Sequence, residues 1–387
     1  MEKLRLGDVC IDMHQGINTV ADKIQYCENG YPIIQSKNIT KGILDTDDVR
    51  YIDKDKYMFY KEKYQPNKND ILIANIGTIG KSIVIDEIKD FLIAWNIFLI
   101  KVNQNKINSK YLNFYFNYLY RNNYYNKFLT GGTVKFINKK TMSNIEIPKI
   151  NLKEQIEIVN KLDKVQNIID LRKKQIEQLD KLSKSQFVEM FQSGNYPKDE
   201  LGKLCDVRDG THDSPKYLEK SGYKFITSKN IINNEIDFSE VKYISKQDYD
   251  KFNTRSKVNY GDILMPMIGT IGKPMIVNIP DDEIDFAIKN VALIKFLDNS
   301  QVTNIYIKNL FDSDYFENAI LQNKRGGTQK FIALSDIRKM QIEIPPIELQ
   351  NQFADIVKQI DKQKFILEKS LKKLEEMQES LMNKYFE

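Results

Sequence analysis

At 387 residues, 41% of them hydrophobic, the chain can bury two cores of ordinary size, and its net charge of +5 suits an anionic partner without requiring one. Its three cysteines, Cys10, Cys27 and Cys205, fall in no CxxC spacing, which argues against a disulfide framework or a zinc knuckle. The start of the chain has no apolar signal-peptide core, and the greasiest run, Phe91 to Ile100, is too short for a bilayer and is broken by Asn96. A cytoplasmic protein with no membrane contact is expected.

In chain order, Leu6-Gly7 and Cys10, read as a small buried strand residue, open a β-rich stretch. Short strands are predicted at 31–34, 71–73, 82–85 and 97–100, punctuated by Gly and Asn turns. A Tyr/Phe/Asn-rich helix is predicted from Ser109 to about Phe128, with Gly131-Gly132 as its stop. From Leu152 to about Phe191 there is no Pro or Gly. There Leu162, Val165, Ile169, Ile176 and Leu179 form one seam interrupted by Arg172, the mark of a long helix with a heptad-like stripe. Leu201-Gly202 and Cys205 restart the pattern, with strands at 223–226, 263–265 and 291–294 and a helix from Thr303 to about Leu321. A last helix runs from Leu349. Its seam of Ile360, Leu367, Leu371, Leu374, Leu381 and Tyr385 is interrupted by Lys364 and Gln378.

The second half copies the first. Ser36-Lys37-Asn38-Ile39 returns as Ser228-Lys229-Asn230-Ile231, and Asp70-Ile71-Leu72 as Asp262-Ile263-Leu264. Gly77-Thr78-Ile79-Gly80-Lys81 returns as Gly269-Thr270-Ile271-Gly272-Lys273. Gly131-Gly132-Thr133 with Lys135-Phe136-Ile137 returns as Gly326-Gly327-Thr328 with Lys330-Phe331-Ile332, and each copy runs through Ile-Glu-Ile-Pro (145–148, 342–345) into its long helix. A period of roughly 195 residues is far beyond that of solenoids and means a duplicated domain. The expected fold is α+β: two tandem α/β domains with twisted, mostly antiparallel sheets, each followed by a long helix. The boundaries are placed at 1–151, 152–196, 197–347 and 348–387. A helix of about 40 residues spans roughly 60 Å, and its apolar stripe needs a partner. The other copy's helix is the obvious one. An antiparallel coiled coil is preferred to a parallel pair because a two-fold axis across the rods would separate two oppositely oriented heads.

The segment Gly77 to Ser82 is not a P-loop, since too few residues separate its glycines, and Pro274 stands where the second copy would need a Mg²⁺-binding hydroxyl. It reads as a tight turn between strands, either a plain hairpin or a nest that holds a phosphate oxygen beside Lys81 or Lys273. His14 and His212 lie in matching loops but are offset, and no acid or base repeats. Pro280-Asp281 lacks the acidic-x-Lys of a nuclease site, and Ile344-Pro345-Pro346-Ile347 lacks the groups that grip a flipped base. No catalytic set is expected.

What repeats is Lys, Asn, Gly and Thr in loops. The pairs Lys37/Lys229, Asn38/Asn230, Lys81/Lys273, Thr133/Thr328 and Lys135/Lys330 suit either fold maintenance or a grip on phosphate. Matching loops that differ are His14–Asn18 against Gly210–Ser214, and Arg121-Asn122-Asn123 against Asn323-Lys324-Arg325. They suit the reading of different bases, or they have simply drifted. The candidate DNA-binding residues are Gln15, Asn18, Lys37, Asn38, Lys81, Lys135, Arg208, Thr211, His212, Lys229, Asn230, Lys273, Arg325 and Lys330. Two other readings stay open: an assembly scaffold whose heads bind protein, and a stand-alone nucleotide hydrolase.

The joint order of these motifs resembles the specificity subunits of type I restriction–modification enzymes over the whole chain. The Leu-Gly openings, the Ser-Lys-Asn-Ile, Gly-Thr-Ile-Gly-Lys and Gly-Gly-Thr-x-Lys-Phe-Ile pairs carry it, with the Ile-Pro entries running to Gln155 and Gln352. Gly210-Thr211-His212-Asp213-Ser214-Pro215 looks like the family's second-head opening, of which the first copy keeps only Gly16. The resemblance implies two target-recognition domains, each reading half of a split site in double-stranded DNA, and a helical spacer that docks two methyltransferase subunits. S-adenosylmethionine would sit on those subunits, and ATP and Mg²⁺ on a restriction–translocase subunit where one is present. The chain itself would be non-catalytic.

Overall fold

The computed structural model describes residues 2–132, 134–192, 194–219, 221–232, 234–268, 273–313 and 331–387. Two compact units emerge: Met1–Lys173 together with Lys369–Glu387, and Lys174–Glu368. Each draws on both long helices.

The first unit contains β1 (Lys3–Arg5), β2 (Cys10–Gln15), β3 (Tyr31–Ile34), β4 (Arg50–Ile52), α1 (Lys54–Tyr64), β5 (Ile71–Ala74), β6 (Ser82–Val84), β7 (Leu92–Ile93), β8 (Ile97–Val102), α2 (Ser109–Arg121) and β9 (Glu146–Pro148). A four-stranded antiparallel sheet has the order β2-β8-β5-β6, and a three-stranded sheet has the order β4-β3-β7. In the smaller sheet β3 and β7 run parallel, so the sheets are not antiparallel throughout. The four-stranded sheet is buried on both faces, which is why β5 and β8 read as unbroken apolar runs. Ile71, Ile73, Phe98 and Ile100 face Tyr111, Leu112 and Phe116 of α2. The alternate residues Leu72, Ala74, Ile97 and Leu99 face Ile34, Ile39 and Ile93. Asn108 caps α2, its side-chain oxygen accepting from the amides of Lys110 and Tyr111. The helix stops at Arg121, short of the predicted Phe128, because Asn123 takes a left-handed conformation and a 3₁₀ turn over Tyr124–Phe128 follows.

The second unit repeats this plan with β10 (Lys198–Glu200), β11 (Cys205–Asp209), β12 (Tyr223–Thr227), β13 (Ile231–Ile232), β14 (Glu235–Ile236), β15 (Lys242–Ile244), β16 (Ile263–Pro266), β17 (Met275–Ile276), β18 (Phe286–Lys289), β19 (Val291–Phe296) and β20 (Gln341–Glu343). Its sheets have the orders β11-β19-β16-β17 and β15-β12-β18, with β12 and β18 parallel. The helix predicted from Thr303 starts at Asn304 and ends at Phe311, where the Asp312 amide closes the last turn, so it stops short of the predicted Leu321; residues 314–321 lie outside the described residues.

The two long helices, α3 (Leu152–Phe191) and α4 (Ile347–Phe386), are each 40 residues long. Within the first unit Gln166 of α3 accepts from Gln378 of α4 at 2.7 Å, and Lys173 pairs with Glu375 at 3.0 Å. Within the second, Asp180 pairs with Lys364 at 2.7 Å, and Phe187 meets Phe353 edge-on at 5.5 Å. Numbers rise on one helix as they fall on the other in both units. The coiled coil is antiparallel. The residues that interrupt the predicted seams thus have partners: Lys364 reaches Asp180, and buried Gln378 reaches Gln166.

A buried glutamine fixes where each long helix begins. Gln155 accepts from the Asn108 amide at 2.8 Å and donates to the carbonyl of Ile150 at 2.9 Å. Gln350 accepts from the Thr303 amide at 2.8 Å and donates to the carbonyls of Gln301 and Pro345, both at 2.9 Å. This corrects the sequence alignment of the helix entries. The Leu6 amide donates to Ile145 and the Leu201 amide to Met340, so the two Ile-Glu-Ile-Pro strings are out of register and the counterpart of Gln155 is Gln350. Gln352 is exposed.

Candidate nucleic-acid interface

Much of the repeated sequence builds the scaffold that presents the loops. Asn38 is buried, its side chain accepting from the Gln35 amide at 2.9 Å and donating to the Asp48 carbonyl at 3.0 Å. Asn230 is buried in the same way, accepting from the Thr227 amide at 3.0 Å and donating to the Asp237 carbonyl at 3.3 Å. These two candidates hold the 3₁₀ turn beneath the neighbouring lysine. Of the lysines, Lys37 pairs with Asp48 at 2.5 Å, while Lys229 is exposed with no ion pair among the described residues. The repeated aspartates also have a scaffold role. Asp70 accepts from the Asn67 amide and Asp262 from the Asn259 amide, both at 2.7 Å. Burial pushes both carboxyls above their ordinary value, in Asp262 despite the Lys295 ammonium at 2.6 Å.

The loops that differ between copies have a common frame. Gly16 and Gly210 each run so close to a neighbouring strand that a Cβ would stand 2.1 Å from the Ile93 carbonyl oxygen or 2.4 Å from that of Ile288. The frame equates His14 with Arg208, both strand residues rather than loop residues. His14 bonds Asp12 at 2.8 Å and the Lys63 carbonyl at 2.8 Å. Arg208 donates to Asp206 at 2.8 Å and to the Arg255 carbonyl at 2.9 Å. Arg208 therefore serves first as a latch from β11 to the following helix at Lys246–Ser256.

Around the glycines the chemistry diverges. In the first unit exposed Gln15 donates to the Trp95 carbonyl at 3.0 Å, and Asn18 accepts from the Ala21 amide at 3.1 Å. In the second, Asp209 is buried and binds Arg255 and His212, the latter at 2.9 Å. The His212 ring also meets Asn290 Oδ1 at 2.7 Å, and Thr211 Oγ1 accepts from the Asp213 amide at 3.0 Å. One copy presents amides and the other an imidazole at the same place.

The remaining motifs converge in a cleft of about 670 Å³ in the first unit. Ile76 forms a bridge with Phe136, and the Ile137 amide donates to the Asn75 carbonyl at 3.1 Å. This joins the Gly77–Lys81 turn to the loop carrying Lys135, and the end of α2 completes the wall with Tyr120 and Arg121. Lys135 is exposed and donates to the Gly131 carbonyl at 3.0 Å. Lys81 lies 4.7 Å from the Tyr120 ring centre, and burial, then the charges of Arg121 and Lys173, lower its pKa. The second unit keeps the same bridge, Ile268 with Phe331, and the Ile332 amide donates to Met267 at 3.1 Å. There Lys273 is exposed. Arg325, Lys330, Thr328, Asn323, Lys324 and Gly269–Gly272 lie outside the described residues, as does Thr133. The sequence reading did not join Arg121 and Tyr120 to the turn; only the twofold recurrence of both strings hinted that they meet.

A family model described as the type I restriction modification DNA specificity domain matches residues 1–181 and again 195–376. The chain is 25% identical to the type I restriction enzyme MjaVIII specificity subunit of Methanocaldococcus jannaschii, over 99% of this chain and 91% of that protein. It is 22% identical to the EcoBI specificity subunit of Escherichia coli, over 86% of this chain and 73% of that one. Among solved structures, the S subunit of the type I system of M. genitalium superposes with a TM-score of 0.58 at 15% identity, covering 100% of this chain and 96% of that one. A chain of another type I R-M system gives 0.52 at 16% identity, covering 100% and 97%. These structures share its fold. With both halves matched by the same domain model, the chain belongs to the type I restriction–modification specificity subunit family.

Proposed function

We propose that this chain is the DNA-reading subunit of a type I restriction–modification complex, working in the cytoplasm. Each head reads one half of a split site in duplex DNA, with divergent loop side chains in the major groove and lysines on phosphates. The helix pair sets the gap between half-sites and docks two methyltransferase subunits, which bind S-adenosylmethionine and transfer the methyl group. A restriction–translocase subunit, where the system has one, brings ATP and Mg²⁺. The chain itself performs no chemistry. Among the described residues no helix is long and apolar enough to cross a membrane, in keeping with this reading.

The observation that carries it is one frame built twice with different chemistry at matching positions: Gln15 and Asn18 around the end of β2, Asp209 and His212 around the end of β11. A scaffold binding one protein twice would have no use for that difference. The test is exchange of residues 1–151 for the head of another family member, followed by methylome sequencing of a host carrying the matching methyltransferase. One half-site should change and the other stay. A change in both halves, or no methylation dependent on this chain, would overturn the reading.

A further inference from the structure

We propose that the cleft of the first unit is a phosphodiester clamp, in which Arg121 and Lys135 close on one backbone phosphate of a nucleic acid and Lys81 adds to the field. This rests on the DNA-binding reading above and deepens it. Both Arg121 and Lys135 line the cleft, and among the described residues no carboxylate does. Among the described residues none of the three cations has an acidic partner. Arg121 donates to the neutral amide of Gln378 at 3.1 Å, Lys135 to a backbone carbonyl, and Lys81 lies on an aromatic ring. Like charges gathered without counter-charge are unfavourable for the folded state and attract an anion.

A second observation lies in the turn itself. Asn75 is fully buried, yet neither its Oδ1 nor its Nδ2 has a partner among the described residues, and the same holds for Thr78 Oγ1. An orphaned buried polar group destabilises the folded state, so a turn that keeps several is built for more than linking two strands. Gly77 and Gly80 both have positive φ, and a Cβ on Gly80 would stand 2.2 Å from the Tyr125 ring, which fixes the turn against the 3₁₀ turn that follows α2. An open, guanidinium-bearing cleft matches a tetrahedral anion, because the fork of Arg121 can meet two phosphate oxygens at once.

The test uses the full chain and a fluorescein-labelled, random-sequence 40-base-pair duplex, with anisotropy measured across a series of KCl concentrations. Each lost phosphate contact lowers the slope of log K against log salt by about 0.9. Arg121→Gln and Lys135→Gln should each show that drop, while Lys68→Gln, an exposed lysine of the same unit, should not. Lys135→Gln guards against misfolding of the Arg121 variant, since among the described residues the Lys135 ammonium makes a single hydrogen bond, to the Gly131 carbonyl. Wild-type binding with an unchanged slope in both cleft variants would overturn the clamp and leave DNA binding standing. No binding of the duplex at any salt would overturn the DNA reading and the clamp with it. Thermal stabilisation by inorganic phosphate that the variants lose, with unaltered duplex slopes, would assign the cleft to a free anion and also overturn the proposal.

Discussion

At the scale of single residues, side chains with no surface role explain much of what repeats. Gln350 satisfies three backbone groups at the start of α4 while itself buried. Gln350→Ala is expected to lower stability by about 2–3 kcal/mol, because it strands the buried Pro345 carbonyl and the half-buried Thr303 amide. Gln352→Ala, at an exposed position, should stay within about 0.5 kcal/mol. Urea unfolding of the two variants checks this, and equal shifts would return the helix anchor to Gln352. Asp70 gives a pH signature. Burial raises its folded pKa above 3.8, so the folded state holds this proton more tightly than the unfolded chain. Its contribution to stability is full below about pH 4 and is lost as pH rises through the folded value. Asp70→Asn should flatten that part of the decline when unfolding midpoints are compared from pH 4 to 7. Curves that stay parallel would show that another group is responsible.

At the scale of elements, what could be read from the sequence depended on how a segment is buried. β5, β8, β16 and β19 were legible because strands covered on both faces become nearly continuous apolar runs. The long helices were legible from a seam sustained over their length. β7 and β18 were not, because each takes its identity from a distant parallel partner, β3 or β12. The break after Arg121 was hidden by an unbroken aromatic run, since nothing local announces that Asn123 turns left-handed. In the candidate site the residue types were legible but their grouping was not: a single bridge between Ile76 and Phe136 joins two distant strings. Gly16 was recognised as the surviving counterpart of Gly210, and the reason is now steric. Gly16→Ala should cost about 2–3 kcal/mol, because a Cβ there meets main chain and not a side chain that could swing away. Thermal unfolding decides it; an unchanged midpoint would mean β2 can shift outward.

At the scale of the whole molecule, duplication supplies two heads and the helices that follow them. If the helix pair sets the gap between half-sites, as proposed, removing one heptad from both α3 and α4 takes out about 10 Å. At 3.4 Å per base pair the methylated site should then lose roughly three unread pairs. Methylome sequencing reads this directly, and an unaltered gap would assign spacing to something other than the helices.

The way α4 ends has a bearing on how the protein is made. Phe386 and Met382 lie in the core of the first unit, where Phe386 meets the rings of Tyr111, Tyr115 and Tyr118. A ribosome emits this chain from the amino end, so the unit begun first waits for these aromatic and thioether side chains to leave the exit tunnel. The second unit, bounded by Lys174 and Glu368, has all of its parts earlier. The first unit therefore cannot be completed until the whole of the second has been synthesised, and until then the nascent first head carries an uncovered aromatic pocket.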